Sequence, residues 1–205
     1  DVYKRQLPRR KNKIFNRSLF MRKAAKKNSN KVRIIGGSCR SQFISFPTIA
    51  DLRPSTDFIR EKVFNWLGQT LTDQVILDLF AGSGAFAFES ASRGAKTVVA
   101  VEHNAQAYTF LLHNRKKLVL PQVRIKQIDA LTYLRQKRHV FDFVFLDPPY
   151  RWQDWPQLWQ LLPACLKENG QIYIESDRQL TVPSTWHIEK MAKHGISYLL
   201  LVSLN

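Results

Sequence analysis

The run Asp147-Pro148-Pro149-Tyr150 holds the most specific chemistry in this sequence. Two consecutive prolines fix φ and stiffen the backbone, so the Pro148 carbonyl becomes a rigid acceptor beside the Asp147 carboxylate. The exocyclic amine of a nucleobase presents two N–H donors, and its lone pair is delocalised into the ring. Two fixed acceptors can hold both hydrogens, favour a more tetrahedral nitrogen and aim its lone pair at a methyl donor. Asp147 then faces the positive charge that grows on nitrogen. The proton leaves after transfer, so no strong general base is needed. Tyr150 offers an aromatic face on which a flipped or single-stranded base can stack. Arg151 is placed to meet a phosphate. Trp152, Trp155 and Trp159 follow at helical spacing and read as a stripe packed on the sheet in preference to a substrate-facing lip.

Three further groups supply what such a corner needs. In Asp78-Leu79-Phe80-Ala81-Gly82-Ser83-Gly84-Ala85, two glycines permit a tight turn and close approach of the backbone to a ligand. The third glycine of a dinucleotide fingerprint would fall at Ala87. The loop therefore resembles the nucleoside-binding loop of class I methyltransferases more than a pyrophosphate cradle. Glu102 follows Gly82 by twenty residues, where a carboxylate can accept from both hydroxyls of a ribose. Asp129-Ala130 comes later, and Asp129 reads equally as an acceptor for an adenine amine or as a helix cap.

These groups need elements to converge on one edge. The periodicity gives a hairpin of strands 32–35 and 42–46 around Gly36-Gly37, then a helix over 58–67 capped by Ser55 or Thr56 and closed by Gly68. Strands are expected at 75–80, 97–101, 123–127, 141–146 and 171–175. They alternate with helices at 84–94, 104–118, 130–137 and 155–167, the last stopping near Gly170. Segments 186–192 and 196–204 form a final hairpin around Gly195. Short apolar strands alternating with helices imply a doubly wound, mostly parallel α/β sheet. Ligands bind beyond the carboxyl ends of such strands, which is where residues 80, 101, 127 and 146 lie.

Charge divides the chain in two. Of a formal net charge of +16, +12 falls within residues 1–33, where thirteen Lys and Arg face one acid. Residues 1–31 read as a basic, disordered arm and 32–205 as one domain that includes the hairpin 32–48. Such an arm solubilises the chain or lies on nucleic acid through counterion release. Met21 is the first methionine, so residues 1–20 read as an upstream segment. Cys39 and Cys165 form no C-x-x-C pair, and the five histidines lack metal-ligand spacing, so no metal site is expected. With neither a long apolar run nor a signal-peptide core, the expected location is cytoplasmic.

Four stretches carry a resemblance to a known family. They are VRIIGGSCR (32–40), LRPSTDFIREKVFNWL (52–67), LDLFAGSGAFAFESASRGA (77–95) and FDFVFLDPPY (141–150). Together they resemble the RsmD-like 16S ribosomal RNA (guanine-N2) methyltransferases of bacteria, from about residue 32 onward. The resemblance implies a class I, Rossmann-like fold dependent on S-adenosylmethionine, a monomer, and a guanine target in 16S rRNA or the small ribosomal subunit. It implies that Arg53, Pro54, Ser55 and Thr56 lie over the methionine end of the cofactor. Asp78, Phe80, Ala81, Gly82, Ser83, Gly84, Glu102, Asn104, Asp129 and Ala130 would line the rest, with Asp147, Pro148, Pro149 and Tyr150 as the catalytic loop. Two departures stand out: Phe86-Ala87-Phe88 is bulkier than the small residues common there, and Asn104 replaces a common Asp. An Asp-Pro-Pro-Tyr loop also suits an adenine amine, so a DNA adenine-N6 methyltransferase is the alternative enzyme. A non-catalytic RNA-binding assembly factor is the alternative outside enzymes.

Overall fold

A computed structural model describes residues 29–50, 52–136 and 139–205. Residues 1–28, which include Met21 and most of the basic segment, lie outside it. Strands β1 (Ser29–Arg33) and β2 (Phe43–Pro47) form a two-stranded antiparallel sheet in which Val32 faces Ile44. The first strand thus starts three residues inside the segment read from sequence as the arm. Lys31 and Arg33 are exposed while Val32 and Ile34 are buried, so the period-2 alternation of a half-buried strand was hidden under the charge run.

Helix α1 (Asp57–Leu67) follows, capped by Thr56, whose hydroxyl accepts from Ile59 N. Next come β3 (Val75–Asp78), α2 (Ala85–Ser92), β4 (Thr97–Glu102), α3 (Ala105–Leu118), β5 (Val123–Gln127), α4 (Ala130–Arg135), β6 (Phe141–Leu146) and α5 (Trp155–Leu161). A short 3₁₀ turn (Leu162–Cys165) leads into β7 (Leu166–Ser176), and β8 (Trp186–His194) and β9 (Ser197–Leu204) close the fold. The main sheet has the order β5-β4-β3-β6-β7-β9-β8. Pairs from β5 through β7 are parallel, and β9 pairs antiparallel with both β7 and β8. This is the doubly wound, mostly parallel sheet that the sequence predicts, with the C-terminal hairpin at one edge and the N-terminal hairpin as a separate two-stranded sheet.

The largest differences from the expected bounds lie between α5 and β7. The helix expected over 155–167 ends near 161, because Pro163 has no N–H to continue the ladder. The strand expected at 171 already begins at Leu166, opposite Phe141. Phe143 then pairs with Gln171, so residues 167–170 form a bulge, with Asn169 at φ 63°. Gly170 sits inside that strand and stops no helix.

The sheet separates two cores, as alternation along its strands requires. Ile76, Val98, Phe143, Phe145 and Tyr173 face α1, α2, α3 and the β1–β2 hairpin. Leu77, Val99, Val144, Ile172 and Val202 face α4 and α5. The bulk at Phe86 and Phe88 is absorbed here. Phe86 stacks on Phe145 at 4.6 Å, and Phe88 fills the space that Gly84 leaves. The tryptophans form a chain of ring contacts, T-shaped from Trp152 to Trp155 and tilted from Trp155 to Trp159 and on to Trp186, against the second core.

The hairpin is locked to α2 by polar groups. Arg60, fully buried, bonds Glu89 Oε2 at 3.2 Å and the Arg33 carbonyl at 2.8 Å. Glu89 also accepts from Ile35 N and Arg93 Nε, each at 2.9 Å. A Cβ on Gly37 (φ +71°) would lie 1.9 Å from the Ser92 carbonyl oxygen. The Arg-Ile-Ile-Gly-Gly stretch therefore serves docking. Among the described residues no helix is long and apolar enough to cross a membrane.

Candidate active site

The strand ends and the turns after them converge on one cleft of about 840 Å³. Its walls include Phe80 to Ser83 after β3, Glu102 to Asn104 after β4, Asp129 and Ala130 after β5, and Asp147 to Tyr150 after β6. Arg53 to Thr56 close it from the segment before α1. Sixteen of the eighteen residues predicted from sequence thus share one cavity, although they span nearly a hundred residues of chain.

Gly82 (φ 48°) and Gly84 (φ 82°) both adopt the left-handed conformation, for different ends. A Cβ on Gly84 would come within 2.6 Å of Leu111 and Phe88. Gly84 therefore lies against the core and does not line the cleft. A Cβ on Gly82 would meet nothing nearer than 3.8 Å, so its openness serves the cavity. Gly82 N donates to Glu102 Oε2 at 2.8 Å and Asn104 N to Oε1 at 2.7 Å. These bonds aim the carboxylate and leave each oxygen a second lone pair.

Asp78 does not line the cleft either. It is buried beneath the loop, and its Oδ2 accepts from Ala87 N at 3.0 Å, tying β3 to the first turn of α2. Burial, reinforced by the nearby Glu102 carboxylate, pushes its pKa up to about 7, against the pull of backbone N–H groups. Its part is to hold the glycine loop from below.

Asn104 and Asp129 reach the cleft but use an oxygen each as a cap. Asn104 Oδ1 accepts from Gln106 N and Ala107 N at the start of α3. Asp129 Oδ1 accepts from Thr132 N at 2.9 Å at the start of α4. Burial pushes Asp129 upward, but the Thr132 bonds and the charges of His103 and Arg135 win, and its pKa is lowered.

The Asp147–Tyr150 corner is held from both sides. Trp152 N donates to the Pro149 carbonyl at 3.1 Å, and Arg151, at φ 64°, donates its N–H to Asp177 at 2.9 Å. The Arg151 backbone is thus used to lock the loop. Arg178 bonds the Trp152 carbonyl at 2.6 Å. Pro148 is buried, whereas Tyr150 is 44 % exposed at the mouth. Ser55 Oγ lies 3.0 Å from Asp147 Oδ2. Burial first, then the neighbouring Glu175 carboxylate, hold the Asp147 carboxyl well above the usual carboxylate range, and the Ser55 bond offsets only part of this.

Sequence reasoning missed Glu175, Trp152 as a wall, and the β8–β9 turn at His194–Ser197, all of which line the cleft. Glu175 stands at the carboxyl side of a parallel strand, as Glu102 does, and that shared position was the available signal. The turn is reached only through the antiparallel return of β9 beside β7, a long-range pairing with no local signature.

The residues fit a nucleoside that carries a sulfonium. They combine a glycine loop open to a ligand, a carboxylate with spare acceptors at a strand end, and a second acidic corner across the same cavity. Comparison with known proteins agrees. The ribosomal RNA small subunit methyltransferase D of Escherichia coli is 36 % identical over 179 residues, which span 84 % of this chain and 90 % of that one. The solved structure of the Escherichia coli protein yhhF superposes with a TM-score of 0.77 at 33 % identity, over 85 % of this chain and 98 % of that one. SMU.776, crystallised with SAH, shares the fold alone, with a TM-score of 0.67 at 14 % identity over 86 % of this chain and 56 % of that one. The profile of the family described as Conserved hypothetical protein 95 matches residues 32–203, and the chain belongs to that family, which is the RsmD family, on a class I methyltransferase fold.

Proposed function

We propose that this protein transfers a methyl group from S-adenosylmethionine to the exocyclic N2 amine of a guanine in small-subunit ribosomal RNA. The observation that carries the reading is the placement of the Asp147–Pro148–Pro149–Tyr150 corner in the cleft that also holds Gly82 and Glu102. The likeness to the methyltransferase D proteins supports small-subunit ribosomal RNA as the substrate class.

Bound in the cleft, S-adenosylmethionine supplies an electrophilic methyl group on sulfur. Glu102 would hold the ribose through its two spare lone pairs, and the backbone of Phe80 to Ser83 would pass along the nucleoside. Arg53, Pro54 and Thr56 would cover the methionine end. Asp147 and the Pro148 carbonyl would each accept one hydrogen of the amine, turning its lone pair toward the methyl carbon. Tyr150, exposed at the rim, would stack on the extruded base. The thirteen basic residues within 1–33 would add phosphate contacts that weaken as salt rises.

Nucleoside mass spectrometry of ribosomal RNA from cells with and without this protein tests the reading. N2-methylguanosine in 16S RNA that disappears with the gene is the expected result. Methylated adenine in DNA instead would favour the adenine-N6 alternative. No methylation, together with no heat of S-adenosylmethionine binding, would leave an assembly factor.

A further inference from the structure

Two carboxylates share one hydroxyl at the floor of the cleft. Ser55 Oγ lies 3.0 Å from Asp147 Oδ2 and 2.8 Å from Glu175 Oε2. A serine hydroxyl carries one hydrogen, so it can donate in only one of these contacts. The other sets lone pair against lone pair unless a proton sits on that carboxylate. The remaining partners of Glu175 are hydroxyls: Tyr173 at 3.3 Å on Oε2 and Ser197 at 2.9 Å on Oε1. Among the described residues, neither carboxylate has a bond from Lys, Arg or His. Two like charges around one hydroxyl repel each other, and a single proton shared by the pair would satisfy both Ser55 contacts.

We propose that Ser55 relays this proton between Asp147 and Glu175, which makes Glu175 a positioning residue that lets Asp147 stand ionised against the reacting amine. This rests on the function proposed above. At rest Asp147 donates to Ser55 Oγ, and Ser55 donates to Glu175. As the amine docks, the Asp147 proton passes to Ser55 Oγ while the Ser55 hydrogen passes to Glu175 Oε2. No charge is created; the negative charge moves one place. The nitrogen lone pair then takes the methyl carbon, and the electron pair of the old bond stays with sulfur. The N–H bond breaks with its pair returning to nitrogen, and its proton goes to Asp147. The pair then holds two protons and releases one to solvent as products leave.

Asp147 leans toward its neutral form before substrate arrives, which gives the relay a reason to exist. Tyr173 is held above its ordinary range, by burial first and then by Glu175 and Asp147, and remains a donor. Asp78 approaches Asp147 from β3, and Arg53, Glu102 and His194 line the same cleft.

The test compares single-turnover methylation of unmodified small ribosomal subunits across pH, with infrared spectra of the ligand-free protein as a readout independent of activity. Glu175→Gln removes one like charge, and its amide donates permanently to Ser55. The acid limb of its rate profile should move down by about one pH unit. Ser55→Ala cuts the path to Glu175, so Asp147 must ionise beside a charged Glu175 with no hydroxyl donating to it, and its limb should move up. The difference spectrum of ligand-free wild type minus Glu175→Gln should show a carboxylic-acid carbonyl band at neutral pH; the band of Asp78, whose pKa stands at about 7, is common to both proteins and cancels. Opposite limb shifts together with that band support the relay. Coincident limbs, or no such band in the difference spectrum, overturn it. If Glu175→Gln does not fold, the Ser55→Ala limb and the carboxylic-acid band of an Asp78→Asn protein, free of the Asp78 signal, decide. A wild-type protein that forms no N2-methylguanosine in small subunits would sink the proposed function itself, whereas the spectrum speaks to the relay alone.

Discussion

Substituting alanine for each glycine of the 82–84 loop should separate folding from ligand binding. Both glycines have positive φ, and a left-handed L-residue costs roughly 1–2 kcal/mol. At Gly84 the new methyl also lands 2.6 Å from Leu111 Cδ2 and Phe88 Cε2. Those atoms belong to the buried core, so relief requires repacking, and overpacking costs about 1–3 kcal/mol more. Gly84→Ala should therefore destabilise by about 2–5 kcal/mol. Gly82→Ala carries only the backbone cost, because its nearest contact is 3.8 Å, but it puts a methyl where the backbone meets the nucleoside. Urea unfolding measures the first effect, and calorimetric titration with S-adenosylmethionine the second. Gly84→Ala should unfold at clearly lower urea, and Gly82→Ala should lose only about 1–2 kcal/mol of stability while binding S-adenosylmethionine at least tenfold more weakly, a loss of roughly 1.4 kcal/mol. A Gly84→Ala protein as stable as wild type, or a Gly82→Ala protein with unchanged affinity, would refute this division.

Glu102→Ala should weaken S-adenosylmethionine binding by roughly 10- to 100-fold, since hydrogen bonds to a charged group contribute about 1.5–3 kcal/mol; unchanged calorimetric affinity would remove the ribose from Glu102. Asp78 carries a pH signature. Its folded pKa stands at about 7 against an ordinary 3.8, so the folded state binds more protons between those values and stability falls as pH rises from about 4 to about 7. Asp78→Asn keeps an acceptor for Ala87 but has no such titration, so the urea midpoints of the two proteins should diverge across that window; parallel curves would contradict the burial argument. Arg60→Ala should cost about 3–5 kcal/mol in urea unfolding, because Glu89 loses a buried partner, and a cost under 1 kcal/mol would place the charge elsewhere.

The centre of the sheet was legible because β3, β4 and β6 are buried on both faces and read as short apolar runs between turn residues. Cleft residues such as Gly82, Glu102 and Asp147 were legible because a parallel sheet puts binding groups just past its strand ends. Arg60 was not: in sequence it lies in a helix as an ordinary polar residue, and its burial depends on Glu89 and the Arg33 carbonyl, both distant in the chain. Asp78 shows the limit of positional reasoning. It occupies a strand end, yet its carboxylate turns inward to Ala87 N. Ser55 and Thr56 read equally as caps of α1; Thr56 caps it, and Ser55 bridges two carboxylates. Adjacent hydroxyls cannot be told apart without the partners that the fold brings to them.

Replacing Asp147 with alanine tests the central claim most directly. The substitution removes an acidic group whose charged form is disfavoured by burial, so the fold and the Glu102 side of the cleft should persist. In single-turnover assays the rate of methyl transfer should fall by about 10²–10³, while calorimetry returns the wild-type Kd for S-adenosylmethionine. Wild-type turnover in Asp147→Ala would contradict the account, because the amine would then need no acceptor at that corner.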